Sequence, residues 1–475
     1  FDIAVWPGQL QEKYGDFYEV YAGPLRLIWL CREDLISKIV SPASNNNFHN
    51  SVSKNNDSMK ELGILDTALI FNTNYRTWQY YRRFYTKTMS KTSFLIQALD
   101  FTQEVFGKMD NCWENLGEDT TLEFPHWAKR YFMDTIFLIA VGKPVHSLYS
   151  YYDKLPTDKK FNVSESMLKE SEVFLQAVQD SATCVAHFMI FPKFIRDFPG
   201  ISRYTQRLKN NLNWLRKKTF DIAMERREEI EKTPVDQKLT PNILTMFLTI
   251  NTSRDITEKI ADSLHSEPMS DKEIGRNLME TLNGGTDTGS NLLCFLIYCI
   301  SRHPKVKELL VGEIDRVLGK DLSYKVTYED VVKLEYCEAT IYECSRLFTI
   351  GPALFKKNTK PDEIGGLMFP AETQFFLYYK GIHRHKSSWT NPEEFNPERF
   401  IEKPESKKHI YTFGGGLRKC PGRNLAILQL KLSLALLYRK YDIELVDKKT
   451  PIKYHTGLAL TCDELKIRVK KRNIQ

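Results

Sequence analysis

A mostly α-helical α+β fold is predicted by three features of the 475-residue chain. Two short β-type runs lie near the N-terminus, apolar patterns of helical period dominate from Asn162 onward, and the remaining β-type pieces gather towards the C-terminus. A composition of 42% hydrophobic and 27% charged residues, with Gly and Pro near average usage, is that of a globular protein with a large core. It excludes disordered, collagen-like and porin-like chains. No stretch looks like a linker between separate cores, so one domain over residues 1–475 is expected.

The elements follow in order. Phe17–Ala22 and Leu25–Leu30, joined by Gly23 and Pro24, predict a hairpin. Apolar periodicity at 164–186 and 204–232 predicts two helices, the second stopped near Pro234, and the mixed polar stretch 233–268 reads as a connection. Ser270 followed by Glu273 is a capping-box signal, and the pattern behind it runs to Ile300 before His303-Pro304 stops it. That is one helix of about 33 residues, roughly 50 Å long. Pro304 starts a second with Val306, Leu309, Leu310, Ile314 and Val317 on one face, and Thr327 and Asp330 cap a third that runs to about Phe348. An irregular, proline-rich stretch then leads to a last apolar helix, Arg423–Tyr438, and to closing strands at Asp442–Val446 and Leu465–Val469.

Other global features narrow the function. The longest apolar stretch, Leu292–Ile300, is far short of the roughly 20 residues that span a bilayer. Nine cysteines without a C-x-x-C pair support neither a disulfide framework nor a zinc ribbon and point to a reducing, cytosol-facing compartment. The chain opens at Phe1 with neither a basic n-region nor an apolar h-region, so an upstream segment is expected to have been removed. A net charge of +7 is compatible with an acidic partner or a membrane surface and too mild for nucleic acid.

Chemistry concentrates at Phe413–Gly422, where Cys420 sits in a glycine-rich loop just before a helix. Free backbone N–H groups and the positive helix end would hold a thiolate and lower its pKa, making it a nucleophile or a metal ligand. The plain alternative is a cysteine buried in a tight turn. Gly284-Gly-Thr-Asp-Thr288 interrupts the long helix with two costly glycines, which suggests a close approach or an opened groove, and the Thr288 hydroxyl is placed to bond the carbonyl four residues back. A polar helix break is the bland reading there. Glu343 and Arg346 share a helix face, which alone means a solvated pair. Trp78 and Arg82 alone would be a core tryptophan and a surface arginine. His383 and His385 lack further ligands at metal spacing and read as surface histidines, and no G-K-[ST] follows the glycines at 414–416 to make a phosphate loop.

Taken together, F-x-x-G-x-R-x-C-x-G, met by Phe413, Gly416, Arg418, Cys420 and Gly422, resembles the haem-binding loop of the cytochrome P450 family of haem-thiolate monooxygenases. The resemblance implies a cytochrome P450 fold with haem b as cofactor, Cys420 as axial iron ligand and Arg418 on a haem propionate. It implies an acid–alcohol pair, Asp287 and Thr288, that handles protons at the bound oxygen, with Gly289 standing where a second Thr or Ser is common. Glu343, Arg346 and Arg399 match the family's buried structural network. Trp78 and Arg82 match its W-x-x-x-R propionate contact, and Lys356-Lys357 stands where an arginine for the other propionate is frequent.

The implied activity inserts one atom of O2 into a C–H bond of a lipophilic molecule such as a steroid, fatty acid or secondary metabolite. Its pocket would be lined from about 48–70, 170–210, the long helix, Ile350–Phe355 and Thr456–Leu458. Electrons would come from NADPH-cytochrome P450 reductase, docked on Arg83, Lys87, Lys419 and Arg423. The membrane association would be that of a eukaryotic microsomal member lacking its N-terminal anchor: endoplasmic reticulum, catalytic domain facing the cytosol. Two rivals are a haem-thiolate isomerase or dehydratase that works without O2, against which the intact Asp287-Thr288 pair argues, and a haem-binding sensor without turnover.

Overall fold

The capping box read from the sequence opens the longest element of the core. Ser270 N–H donates to Glu273 Oε2 at 2.8 Å while Glu273 N–H donates to Ser270 Oγ at 3.4 Å, and the helix behind them runs from Asp271 to Arg302. The computed structural model describes residues 6–22, 25–41, 47–48, 56–117, 120–157, 159–256 and 267–473. The main helices are α1 (Tyr75–Met89), α2 (Thr92–Leu116), α3 (Phe124–Val141), α4 (Glu165–Ile190), α5 (Pro199–Lys232), α6 (Asp271–Arg302), α7 (Pro304–Leu318), α8 (Glu335–Leu347) and α9 (Arg423–Lys440).

From Leu292 to Ile297 α6 is buried all round, as a helix surrounded by others must be. α3 is buried nearly as completely and crosses α6 closely. A Cβ on Gly285 would stand 2.5 Å from Ile136 Cγ1, and one on Gly289 2.3 Å from Phe132 Cε1. These two glycines are therefore the contact between the helices, and a Thr or Ser at 289 has no room. Gly289→Ala should destabilise the fold by about 1–3 kcal/mol through overpacking. Gly284→Ala, where nothing lies within 4 Å, should not. Denaturant melts of the two variants check this.

Strands β1 (Phe17–Ala22) and β2 (Leu25–Leu30) pair antiparallel, Phe17 opposite Leu30; the Gly23-Pro24 turn lies outside the described residues. With β3 (Leu122–Glu123), β4 (Leu354–Lys357), β5 (Gln374–Leu377), β6 (Tyr441–Leu445) and β7 (Lys466–Lys471), two sheets form, in the orders β1-β2-β5-β4 and β3-β7-β6. β5 lies parallel to β2 and antiparallel to β4, so the first sheet joins chain segments remote in sequence. The closing strands pair as β6 and β7, Ile467 opposite Leu445.

Four local readings are corrected. The connection 233–268 contains a helix, Ile243–Thr249, started by Asn242, whose side chain accepts the Thr245 N–H at 2.8 Å, and buried on every side. The third helix after α6 is two, Tyr328–Lys333 and α8, because Leu334 leaves the helical region (ψ 75°). The new N-terminus is satisfied from α7, where the Glu313 carboxylate accepts Tyr336 N–H at 2.7 Å and Cys337 N–H at 2.9 Å. Leu309 is exposed, so the apolar face of α7 is narrower than its pattern suggests. Finally, helix begins long before Asn162, with α1, α2 and α3.

Candidate active site

On a helix as buried as α6, Gly284 and Thr288 are exceptions: both are exposed, one turn apart, and mark a groove in mid-helix. Thr288 Oγ1 donates to Gly284 O at 2.6 Å, the back-bond expected from the spacing. The adjacent glycines thus do different things, Gly284 leaving the groove open and Gly285 admitting α3. Asp287 Oδ1 is buried without a hydrogen-bond partner and lies 3.7 Å from Lys129 Nζ, which arrives from α3. Burial pushes the Asp287 carboxyl up and Lys129 pulls it back. No motif in the sequence flags Lys129.

Cys420 stands apart from the other cysteines. Eight of the nine are buried and it alone is exposed, at the end of the Phe413–Gly422 loop. The loop is folded by two glycines in the left-handed region, Gly414 (φ 70°) and Gly416 (φ 65°), the second also crowded by the Val40 carbonyl, 2.7 Å from where its Cβ would be. Gly414 N–H donates to Tyr411 O at 2.8 Å and Cys420 N–H to Phe413 O at 2.7 Å, which turns the cysteine to the loop's end just ahead of α9. Phe413 thus acts through its carbonyl. The expected lowering of the thiol pKa is corrected: burial pushes it up, and the Gly422 N–H, Arg82, Arg423 and Lys419 only partly offset this. A thiol can be both exposed and desolvated when it lines the wall of an internal space, where a bound cation would displace its proton.

Three buried or half-buried cations lie in succession near the cysteine: Arg82 beside Cys420, Arg418 beside Arg82 and Lys356 beside Arg418. Arg418 lies over the Trp78 ring at 4.4 Å and donates to Leu69 O (3.2 Å) and Asn72 O (2.5 Å). Burial brings its pKa down to about 10 despite Glu280 nearby. Arg82, one turn after Trp78 on α1, donates to Lys419 O and is likewise lowered by burial. Lys356 is 2% exposed, and burial with the like charge of Arg418 brings it down to about 7. No ion pair is recorded for it among the described residues. Lys357 faces the other way, as strand alternation requires, and pairs with Glu372.

Behind the loop, Glu343 and Arg346 form a two-pronged ion pair at 2.8 and 2.9 Å, both side chains wholly buried, and Arg399 joins at 3.1 Å. His383 is not a surface histidine. It is fully buried, its Nε2 accepts the Tyr411 N–H and its Nδ1 bonds Thr349 Oγ1, both at 2.8 Å, and burial drives its pKa down to about 3. It ties the end of α8 to the start of the cysteine loop. His385 bonds Asp16 at 3.1 Å instead of a metal. Of the expected docking cations, Arg83, Lys87 and Lys419 are exposed, whereas Arg423 is half-buried and bonds Tyr342 Oη.

The expected lining segments also converge. Glu280 of α6 accepts N–H bonds from Leu69 and Ile70, Glu61 pairs with Arg196 at 2.9 Å, and Leu460, two residues past the expected Thr456–Leu458 segment, donates its N–H to Ile350 O at 2.8 Å. Residues 49–55 of the first segment lie outside the described residues.

Comparison with known proteins identifies the family and the fold. A family model described as "Cytochrome P450" matches residues 5–470. Among curated relatives, cytochrome P450 3A17 of Cavia porcellus is 25% identical over 93% of this chain and 80% of its own length. Cytochrome P450 3A5 of Homo sapiens is 25% identical over 94% and 82%. The crystal structure of the cytochrome P450DA heme domain shares the fold, with a TM-score of 0.79 at 21% identity over 98% of this chain and 92% of that one.

Proposed function

The chain belongs to the cytochrome P450 family, and from that premise we propose a monooxygenase of a lipophilic substrate in which Cys420 holds the iron of haem b. The observation that carries it is the pairing of one exposed cysteine with a desolvated set of cations, Arg82, Arg418 and Lys356. A buried lysine with no ion pair recorded among the described residues, beside a buried arginine, needs an anion, and a macrocycle bearing two carboxylates and a thiolate-ligated metal supplies what both features lack.

Bound haem would supply reductive activation of oxygen, R–H + O2 + 2 e− + 2 H+ → R–OH + H2O. The protein's part is placement and protons. Gly284 opens the groove, and the Thr288 hydroxyl stands in it with its own proton directed to Gly284 O. Its oxygen lone pairs therefore remain to accept. Asp287 lies one residue earlier, with Oδ1 unbonded and its proton favoured by burial, and it can pass that proton towards the groove while Lys129 limits how tightly it is held. The aromatic and aliphatic segments that converge on α6 support a lipophilic substrate.

Exposed Arg83, Lys87 and Lys419 support an electron donor with an acidic face, which we read as NADPH-cytochrome P450 reductase. Met189, Ile190, Phe191, Phe194 and Phe198 are exposed within ten residues, and a patch of that kind supports contact with a membrane, here the cytosolic face of the endoplasmic reticulum. No helix among the described residues is long and apolar enough to cross one.

The test is turnover under 18O2 with reductase and NADPH. One labelled oxygen per product is expected, and product formed without NADPH or O2 would overturn the proposal. In the same assay Thr288→Ala should keep haem and substrate binding but lower product per NADPH several-fold, with hydrogen peroxide rising to match. Unchanged coupling would leave Thr288 a structural residue.

A further inference from the structure

Tyr411 is a phenol that the proposed reaction leaves unused. It belongs to the cysteine loop: Gly414 N–H donates to its carbonyl at 2.8 Å and Cys420 N–H to the Phe413 carbonyl at 2.7 Å, so a short run of backbone and one hydrogen bond separate Tyr411 from Cys420. Their Cα atoms are therefore at most about 14 Å apart. The Tyr411 hydroxyl donates to Glu33 Oε1 at 2.8 Å, and the same oxygen is bonded by His409 Nδ1 at 2.6 Å. The ring is buried and stacks at 5.4 Å on Tyr379, whose own hydroxyl is buried without a partner. Burial, then the hydrogen bond and charge of Glu33, push the Tyr411 phenol above its ordinary pKa, so its proton leaves only together with an electron.

Charge sorts the aromatic side chains. Arg418 lies 4.4 Å over Trp78, Arg346 5.2 Å over Trp389, and Lys407 and Arg423 at 5.4 and 5.8 Å over Tyr342; a cation on a ring makes an electron harder to remove. No cation over Tyr411 is recorded among the described residues, and its oxygen faces a carboxylate instead. Tyr81 of α1 also donates to an acid, but that acid, Glu273, is committed to the Ser270 cap of α6. We propose that Tyr411 is a redox-active tyrosine that drains an oxidising equivalent from the haem site when no substrate takes it. The inference rests on the haem-thiolate reading for the source of that equivalent, a haem site oxidised by hydrogen peroxide or a peracid. The step is Tyr–OH + Glu–COO− → Tyr–O• + Glu–COOH + e−, with the electron passing to the haem site and the proton to Glu33. Tyr379 has no acceptor for its proton, so the neutral radical stays on Tyr411. A thiolate in solution reverses the step, Tyr–O• + Glu–COOH + RS− → Tyr–OH + Glu–COO− + RS•, and two thiyl radicals join as a disulfide.

The test mixes substrate-free, haem-loaded protein with peracetic acid, freeze-quenches it and records the electron paramagnetic resonance spectrum. The wild type should show a tyrosyl radical. Tyr411→Phe should lose most of that signal, whereas Tyr342→Phe and Tyr81→Phe keep it. Glu33→Gln, which keeps an oxygen for the hydrogen bond but takes up no proton, should lose it too. Should Tyr411→Phe disturb the loop, 3,5-difluorotyrosine in place of Tyr411 keeps the hydroxyl and should add fluorine splittings to the signal. Under excess peroxide the haem absorbance should bleach faster in Tyr411→Phe than in the wild type. A full-strength signal in Tyr411→Phe, an unsplit one with the fluorinated residue, equal bleaching rates, or no tyrosyl signal in the wild type would overturn the proposal and leave the Tyr411–Glu33 bond as a fastener of the loop. Failure of the underlying reading is visible separately, as absence of the thiolate signature of the reduced carbon-monoxide adduct in the wild type.

Discussion

Cys420→Ser should abolish the red-shifted Soret band of the reduced carbon-monoxide adduct and with it all monooxygenase turnover. The loop is built to present this one sulfur: Gly414 and Gly416 take left-handed backbone, the Phe413 carbonyl fixes the Cys420 N–H, and the thiol is exposed, with Arg82 near it. A serine hydroxyl fits the same volume but does not give up its proton to become a soft anionic ligand. Cys31→Ser, at a buried cysteine just past β2, should keep the band. A Cys420→Ser protein that retained it would remove the assignment altogether.

Glu343→Gln should be the most damaging substitution away from the groove. One Glu343 oxygen takes Arg346 Nη2, the Asn396 N–H and Arg399 Nε, the other takes Arg346 Nε, and none of the Glu343 or Arg346 side chain reaches solvent. Arg346 also donates to the carbonyls of His383, Pro392 and Glu394, so this network gathers α8 and the irregular segment that leads to the cysteine loop. Neutralising the acid leaves two guanidinium groups without their counter-ion, at a cost of about 3–5 kcal/mol. Against a total stability of roughly 5–15 kcal/mol, that brings the protein close to unfolding. A denaturant midpoint and the yield of haem-loaded protein measure it. A change within about 0.5 kcal/mol, the scale of a surface pair, would mean the network carries little.

Most of the candidate site was legible because its signals are local. The capping box at Ser270, the back-bond from Thr288 to Gly284 and the glycines before Cys420 depend on residues within a few positions of one another, and spacing alone defines them. The periodicity of α2 was equally local, with Phe94, Leu95, Ala98, Leu99, Val105, Phe106, Met109 and Trp113 buried at helical intervals, and a reading that opened helix only at Asn162 passed over it. The helix break at Leu334 was not legible, because the group that satisfies the new N-terminus, Glu313, belongs to another helix.

Lys129, Glu280 and His383 share that character. Each is an unremarkable residue in its own segment, a lysine on a buried helix, a glutamate in mid-helix, a histidine in a proline-rich stretch, and each gains its meaning from a partner far along the chain. Burial is likewise a property of the packed molecule: the basic loop helix promised a lowered Cys420 pKa, and desolvation by the surrounding protein reversed the sign. By itself, then, the sequence determined the helices with caps, the hairpin strands, the glycine turns before Cys420 and the Thr288 back-bond to Gly284, all products of short-range sterics and hydrogen bonding. Only the tertiary structure decided which of two adjacent glycines opens the groove, which of two adjacent lysines faces Arg418, and what charge each buried group can bear, since these depend on the low-dielectric contacts that distant segments make when they meet.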